Sequence, residues 1–256
     1  MKNLSTSVRF ILLCLLVPLA VITLSSLVNL YDNKTRILQK AGVLLFQSSK
    51  YDIDEKDRFW SKEILNGGYI LHFRHAEREK WIDVEAYDAL ESDLHNNGIN
   101  ESRYAENEYF HKAVCLNDRG KVQARAMGEH VRKIGLPIGP TVSSVSCRAR
   151  QTADLAFGGY DSLHRILVHR GPYDEDGVQR LEKVKEFYAN LPMEQGKNTV
   201  VSSHNGVITC EMFLNQCSDN GLEEGGFYII SKKNGGLVLE HNIYSFLRFS
   251  RTFYER

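Results

Sequence analysis

The apolar residues of this chain fall into one long uncharged run, then a polar stretch, then short apolar blocks alternating with amphipathic ones. The run is residues 10–30, FILLCLLVPLAVITLSSLVNL, close to the ~20 residues with which a helix spans a bilayer. A cleaved signal peptide has a shorter apolar core ending in a small-residue site, so an uncleaved anchor is expected. Pro18 is compatible with a membrane helix. Residues 1–9 form a tail before the anchor, and residues 31–56 are polar with one short apolar patch, a stalk or juxtamembrane linker. From residue 57 onward the pattern is that of a folded domain. DRFWSKEIL predicts a helix stopped at Asn66-Gly67-Gly68, and YILHF predicts a strand. Residues 81–112 are acidic, aromatic and irregular, an insertion over one face of the fold. A helix is predicted from Asn117 as N-cap to Gly135 as stop. TVSSVS predicts a strand, RARQTADLAF a helix ended by Gly158-Gly159, and HRILVH a further strand. A helix over about 178–190 precedes the strand NTVVSSH, and GVITCEMFLNQC is expected to be helical. The C-terminal part, through SFLRF, is strand rich with a hairpin turn at Asn234-Gly235. Strands alternating with helices predict an α/β fold, a three-layer α/β/α sandwich with a mostly parallel central sheet, plus the N-terminal transmembrane helix.

Composition changes this picture little. The 256 residues carry 32 Lys+Arg and 32 Asp+Glu, a formal net charge of zero, which gives no indication of nucleic acid as a partner. Charges flank the apolar run almost evenly, with Lys2 and Arg9 before it and Lys34, Arg36 and Lys40 after it. Arg9 abuts the run and Asp32 dilutes the far side, so the expected topology is single-pass with the domain outside the cytoplasm. Of five cysteines, Cys14 lies in the apolar run. Cys115, Cys147, Cys210 and Cys217 have neither the spacing nor the density of a disulfide scaffold and are expected to be small buried thiols. No C-x-x-C pattern points to zinc.

Chemistry gathers at predicted strand ends, where ligands of α/β sheets bind. Arg74 and His75 follow YILHF, Arg148 and Arg150 follow TVSSVSC, and His204 follows NTVVSS. If those strands are neighbours, guanidiniums and imidazoles converge on one pocket suited to phosphate, since arginine's planar fork matches phosphate oxygens. The helix starting near Arg148 adds a positive end. A neutral imidazole there is a competent nucleophile, and surrounding cations keep it unprotonated.

Together RHAE (74–77), SSVSCRARQTA (143–153) and VVSSHNG (200–206) resemble the histidine phosphatase superfamily, the phosphoglycerate mutase-like fold, over residues from about 57 onward. The resemblance implies that His75 attacks phosphorus, that Arg74, Arg148 and His204 hold the phosphoryl oxygens, and that water then releases phosphate without metal or cofactor. It also places the insertion over the active-site face. The general acid is implied to be a carboxylate after the second motif, Glu175 first, Asp174 next, with Glu77 as a rival. The expected activity is a membrane-anchored phosphatase for phosphate monoesters. The alternatives are a phosphomutase with the same pocket, or a catalytically weak module that binds a phospho-ligand. A phosphorylated small molecule, glycan or lipid head group is the expected substrate, and the membrane the expected partner through residues 10–30. Two positions depart from the family pattern: Ala76 and Asn205 stand where glycine is usual, and alanine lacks glycine's left-handed freedom.

Several residues draw bland expectations. His72 and His75 lie three apart on a strand and face opposite ways, so His72 is structural. Arg150 is a helix-surface cation, and Arg78, Lys80 and Arg103 are solvated charges. Trp81, Tyr87, Tyr104, Tyr109 and Phe110 pack the insertion down. No role is assigned to His111, His130, His164, His169 or His241.

Overall fold

The computed structural model describes residues 52–80, 84–97, 108–169, 176–215, 217 and 221–254. The anchor expected at 10–30 and nearly all of the stalk lie outside the described residues. Among those described, no helix is long and apolar enough to cross a membrane.

Helix α1 (Glu55–Glu63) starts at Asp54, whose carboxylate accepts from the Asp57 N–H while the Asp57 carboxylate accepts from the Asp54 N–H. This reciprocal pair satisfies two donors that a helix start leaves open. After it come β1 (Ile70–Arg74), α2 (Val84–Asn96) and α3 (Glu108–Val114). The segment 81–112, expected to be irregular, thus contains α2 and most of α3. Helix α4 (Asp118–Ile134) begins at Asn117, whose side chain accepts from the Gly120 N–H at 2.7 Å, and ends at left-handed Gly135, as predicted. Next are β2 (Ile138–Ser144), α5 (Cys147–Phe157), β3 (Ser162–His164), α6 (Gly177–Asn190), β4 (Asn198–Ser203), β5 (Phe227–Lys233), β6 (Gly236–Ile243) and α7 (Phe246–Tyr254).

Three local expectations fail. In HRILVH only His164 belongs to a strand, and residues 165–167 form a 3-10 turn. Within GVITCEMFLNQC only residues 210–212 form a 3-10 turn, because Cys210 is bonded to Cys217 and the segment closes on itself. The FLRF of SFLRF belongs to α7, whose Phe249 is fully buried against the sheet. Here an amphipathic helical face overrides the β-propensity of the aromatic residues.

The sheet order is β3-β2-β4-β1-β5-β6, with the first four strands parallel and β5 and β6 antiparallel. Alternation along the strands divides the core in two. Ile70, Val201 and Ile230 face α6 and its Tyr188, whereas Leu71, Val200 and Ile229 face α4 and α7 through Met127 and Phe249. Helices therefore cover both faces of one mixed sheet. Pro140 sits in β2 outside the residues 142–144 that pair with β3, and between Ile138 and Thr141, where the β2–β4 register shifts. The β5–β6 hairpin turns through Asn234 and Gly235, both left-handed, with φ of 52° and 77°.

Asn198 joins three segments at the start of β4. Its amide donates to the Ile64 carbonyl at 2.7 Å and the Pro137 carbonyl at 3.2 Å, and its carbonyl accepts from the Tyr69 N–H at 3.2 Å. Asn198→Ala leaves those groups without a side-chain partner and is expected to cost about 3 kcal/mol. Urea denaturation would show this as a lower midpoint with the same slope, and an unchanged midpoint would contradict it.

Candidate active site

Parallel pairing places the polar strand ends together. Arg74 lies opposite Ser203 in the β1–β4 register and Ser143 opposite Ser202 in the β2–β4 register. The chains leaving β1, β4 and β2 therefore emerge side by side at one edge. The His75 N–H continues the ladder, donating to the Ser203 carbonyl at 2.9 Å. The His75 and His204 rings lie 5.2 Å apart between centroids, edge to face.

His75 is 4% exposed. Its Nδ1 lies 2.7 Å from the Ala76 carbonyl, a partner that only accepts, so Nδ1 carries the proton and Nε2 keeps a lone pair. Burial, then the Arg148 and Arg74 guanidiniums, hold its pKa well below the ordinary 6.5. The neighbouring Ala76 N–H donates to Thr152 Oγ1 at 3.0 Å, and that hydroxyl donates in turn to the Arg148 carbonyl at 2.8 Å. Ala76 has no left-handed backbone, so glycine's freedom is not needed there. Helix α4 reaches this segment at Gly120, where a Cβ would lie 1.9 Å from the Glu77 carbonyl oxygen.

His204 is buried, with Nε2 at 3.0 Å from Ser146 Oγ and 3.2 Å from Ser144 Oγ. Its Nδ1 is buried without a protein partner. Burial, Arg148 and His169 push its pKa well below the ordinary value. His72 plays a structural part, as expected. Its Nε2 is 3.0 Å from the His204 carbonyl, which makes Nε2 the protonated nitrogen and leaves Nδ1 to accept from the Tyr188 hydroxyl at 2.5 Å. Burial lowers the His72 pKa to about 4. At the other departure, the Asn205 amide exchanges two hydrogen bonds with Leu222, and left-handed Gly206 takes the turn one residue later.

Arg148 is 1% exposed and is the largest fully buried side chain described. Its partners come from the insertion. Nη1 donates to Glu91 at 3.0 Å and to the Val114 carbonyl at 3.4 Å, and Nη2 pairs with Asp88 at 3.1 Å. Its Nε is buried without a partner. Glu91 also accepts from the Cys147 N–H at 2.6 Å, the first amide of α5. Arg78 binds Asp88 through both Nη atoms, at 2.7 and 2.8 Å, and His169 Nε2 lies 3.5 Å from the same carboxylate. His169 also stacks on His204, ring centroids 4.5 Å apart. Burial would raise Asp88, but Arg148 and Arg78 outweigh it and hold the carboxyl below its usual range. At Glu91 burial prevails over Arg148, and the pKa is raised.

Arg74 is partly exposed and turns outward, bound to the Leu222 carbonyl and to Glu224 at 2.9 Å. Lys80 shares that carboxylate at 3.2 Å. Glu175 and Asp174 lie outside the described residues. Asp176 caps α6 by accepting from the Gln179 N–H. Glu77 is engaged by Asn117 at 3.1 Å and Arg119 at 3.2 Å, away from the imidazoles' hydrogen bonds.

The expectation of free thiols is overturned, since Cys115 is bonded to Cys147 and Cys210 to Cys217. Spacing hid the first pair, because the chain between them forms α4 and β2 and returns. Among the described residues, two side-chain groups have ligand atoms within 4.8 Å of one another: His111, Cys115 and Cys147, and Asp54, Asp57 and His241. The thiols of the first are joined in the disulfide, and Asp57 of the second is held by Arg248. A separate cavity of about 680 Å³ between β2, β3 and α6, lined by Val142, His164, Ile166 and Phe187, shares no residue with the imidazole site.

Residues 73–171, which include the first two of the three motifs, match the sequence profile described as histidine phosphatase superfamily (branch 1), so the resemblance is shown. No curated protein matches the chain. Solved structures similar to it include the protein histidine phosphatase SixA complexed with tungstate, at 12% identity over 69% of this chain and 96% of that one, with a TM-score of 0.47. The product of the open reading frame Rv3214 from Mycobacterium tuberculosis is 15% identical over 69% and 97%, with a score of 0.42. The protein TTHB049 from Thermus thermophilus is 18% identical over 68% and 98%, with a score of 0.39. Likenesses of this strength carry no functional inference.

His72, His75 and His204 are all neutral when folded, with pKa values lowered from 6.5. Below about pH 6.5 the unfolded chain binds protons that the folded chain does not. Stability is therefore fully present above that pH and declines as pH falls, His72 alone contributing a slope of about 1.4 kcal/mol per pH unit. Denaturation between pH 7 and 5 checks this. Stability that stays flat or rises on acidification would contradict it.

Proposed function

We propose that this chain, whose residues 73–171 match the histidine phosphatase superfamily, is a phosphatase that hydrolyses phosphate monoesters through a phosphohistidine on His75. The observation that carries the reading is a set of nitrogens on three neighbouring residues, two imidazoles in contact and a guanidinium acting on both. His75 Nε2 is free to attack because Nδ1 is tied to the Ala76 carbonyl, while His204 Nδ1 and Arg148 Nε are buried without partners. Buried polar atoms left open in this way call for a ligand or water, and an anion bearing several acceptor oxygens supplies the complement.

The first step forms a bond from His75 Nε2 to phosphorus and breaks the phosphorus–oxygen ester bond. The leaving oxygen takes a proton from a carboxylic acid, Glu175 by the family pattern. Water then attacks phosphorus, the phosphorus–nitrogen bond breaks, and the carboxylate takes the water proton. Inorganic phosphate leaves and His75 returns neutral. His204, with Ser146 donating to Nε2 and Nδ1 protonated, and Arg148 Nε stabilise charge on the equatorial oxygens. Arg74, next to His75 in the chain, shares its charge with Glu224.

The apolar run at 10–30 supports a membrane tether and a substrate presented near a lipid surface, a glycan or lipid head-group phosphate or another phosphorylated small molecule. Two disulfides support a domain on the oxidising side of the membrane. A reporter fused at the C-terminus that is active only outside the cytoplasm is the expected result, and one active only in the cytoplasm would contradict it.

His75→Ala is expected to lower release of inorganic phosphate from an aryl phosphate by at least about 10³-fold, the loss typical when a covalent nucleophile is removed. Full activity in that variant would exclude the mechanism. A wild-type protein that binds phosphate but releases none would favour a binding module, and phosphoryl return to substrate with little release would favour a mutase.

A further inference from the structure

The buried guanidinium of Arg148 is already occupied. Asp88 and Glu91, three residues apart on α2, take its two Nη atoms, and Glu91 also takes the first amide of α5. Those donors, a guanidinium fork and a helix N-terminal N–H, are the kind a phosphoryl group uses. Asp88 additionally takes both Nη atoms of Arg78, and Arg78 and Arg148 also donate to the Ala113 and Val114 carbonyls of α3. Most of the cationic charge is already matched: Arg74, Lys80, Arg78 and Arg148 stand against Glu224, Asp88 and Glu91, with His75 and His204 neutral. A phosphate dianion entering this cluster meets two carboxylates where it needs donors.

We propose that α2 is an anion-mimicking gate: Asp88 and Glu91 take the places on Arg148 and the start of α5 that phosphoryl oxygens would take, and a substrate phosphate binds by displacing them. The inference rests on the phosphate-binding reading of His75, His204 and Arg148. It assigns α2 an opening motion, the carboxylates moving from Arg148 toward solvent as the phosphate takes their place. Besides these charges, α2 is tied to the body by Arg165, which donates to the Ser92 carbonyl at 2.7 Å and to Ser92 Oγ at 3.4 Å. Leu94 and Tyr87 pack on Phe110 and Val114 of α3, which the Cys115–Cys147 bond fastens to the start of α5. That bond fixes α3 beside the site, leaving α2 as the element that moves.

The gate differs from a buttress, in which Asp88 and Glu91 hold Arg148 in its phosphate-binding pose. Binding of inorganic phosphate to the full chain, measured by calorimetry, separates the two. Closed and open forms in equilibrium weaken apparent affinity by the open fraction. Asp88→Asn and Glu91→Gln are therefore expected to tighten phosphate binding by at least about tenfold, the two-site competition being removed. Either variant removes a partner of a buried cation and can fail to fold, so Arg165→Ala, which removes the Ser92 ties of α2 and a cation beside His95 but none of the groups that hold Arg148, is the second arm. It too is expected to bind phosphate more tightly than wild type. Unchanged or weaker binding in Arg165→Ala, or weaker binding in folded Asp88→Asn or Glu91→Gln, overturns the gate while leaving the phosphatase reading intact. If neither wild type nor Arg165→Ala binds phosphate, and wild type hydrolyses no aryl phosphate, the phosphatase reading and the gate that rests on it both fall.

Discussion

A fully buried guanidinium, that of Arg148, is the constraint to which the rest of the site answers. An isolated charge at that depth would be several kcal/mol too costly to keep, so the fold must bring acids to it. It does so from outside the sheet, with Asp88 and Glu91 of α2. The same guanidinium then acts on both imidazoles. Together with burial it drives the His75 and His204 pKa values down, so the rings are neutral where an unperturbed histidine would be partly protonated. The buried cation thus accounts for the acidic roof, and burial with that cation for the unprotonated imidazoles.

What surrounds that cation follows from strand order. Because β1, β4 and β2 are adjacent and parallel, residues just past their ends share one rim. Small hydroxyl residues at Ser144, Ser146, Ser202 and Ser203 let α5 sit close to that rim, and each makes a hydrogen bond there: Ser202 to the Ala149 carbonyl, Ser203 to the Leu167 carbonyl, and Ser144 and Ser146 to His204. His72 reaches the same place from the strand interior, tying the His204 carbonyl to Tyr188 on α6. Ring orientation is thereby set by backbone carbonyls and hydroxyls rather than by charges that a phosphate would disturb.

Much of this was legible because the signals are local. Asn117 and Gly135 bound α4, Asn234-Gly235 turns the hairpin, and apolar blocks ending in Arg74-His75, Cys147-Arg148 and His204 mark the rim. What was missed depends on contacts between distant segments. Asp88 and Glu91 look like ordinary acids in an acidic stretch, and only their three-residue spacing on a helix, pointing both at one partner, could have marked them. His169 gains meaning only by stacking on His204 and facing Asp88. Cys115 and Cys147 are 32 residues apart and meet only because the chain returns. In the C-terminal segment, the aromatics Phe246, Phe249 and Phe253 have a helical spacing that points them toward His130 and the sheet, and strand propensity concealed that period.

Rapid-quench trapping of the covalent intermediate, with the phosphorylated peptide mapped under alkaline conditions that preserve phosphohistidine, tests the central claim most directly. The geometry predicts one phosphoryl group on His75, attached at Nε2, since Nδ1 is tied to the Ala76 carbonyl. A phosphoryl group on Nδ1 of His75 or on another residue, or hydrolysis that turns over with no phosphorylated enzyme formed, would contradict the account.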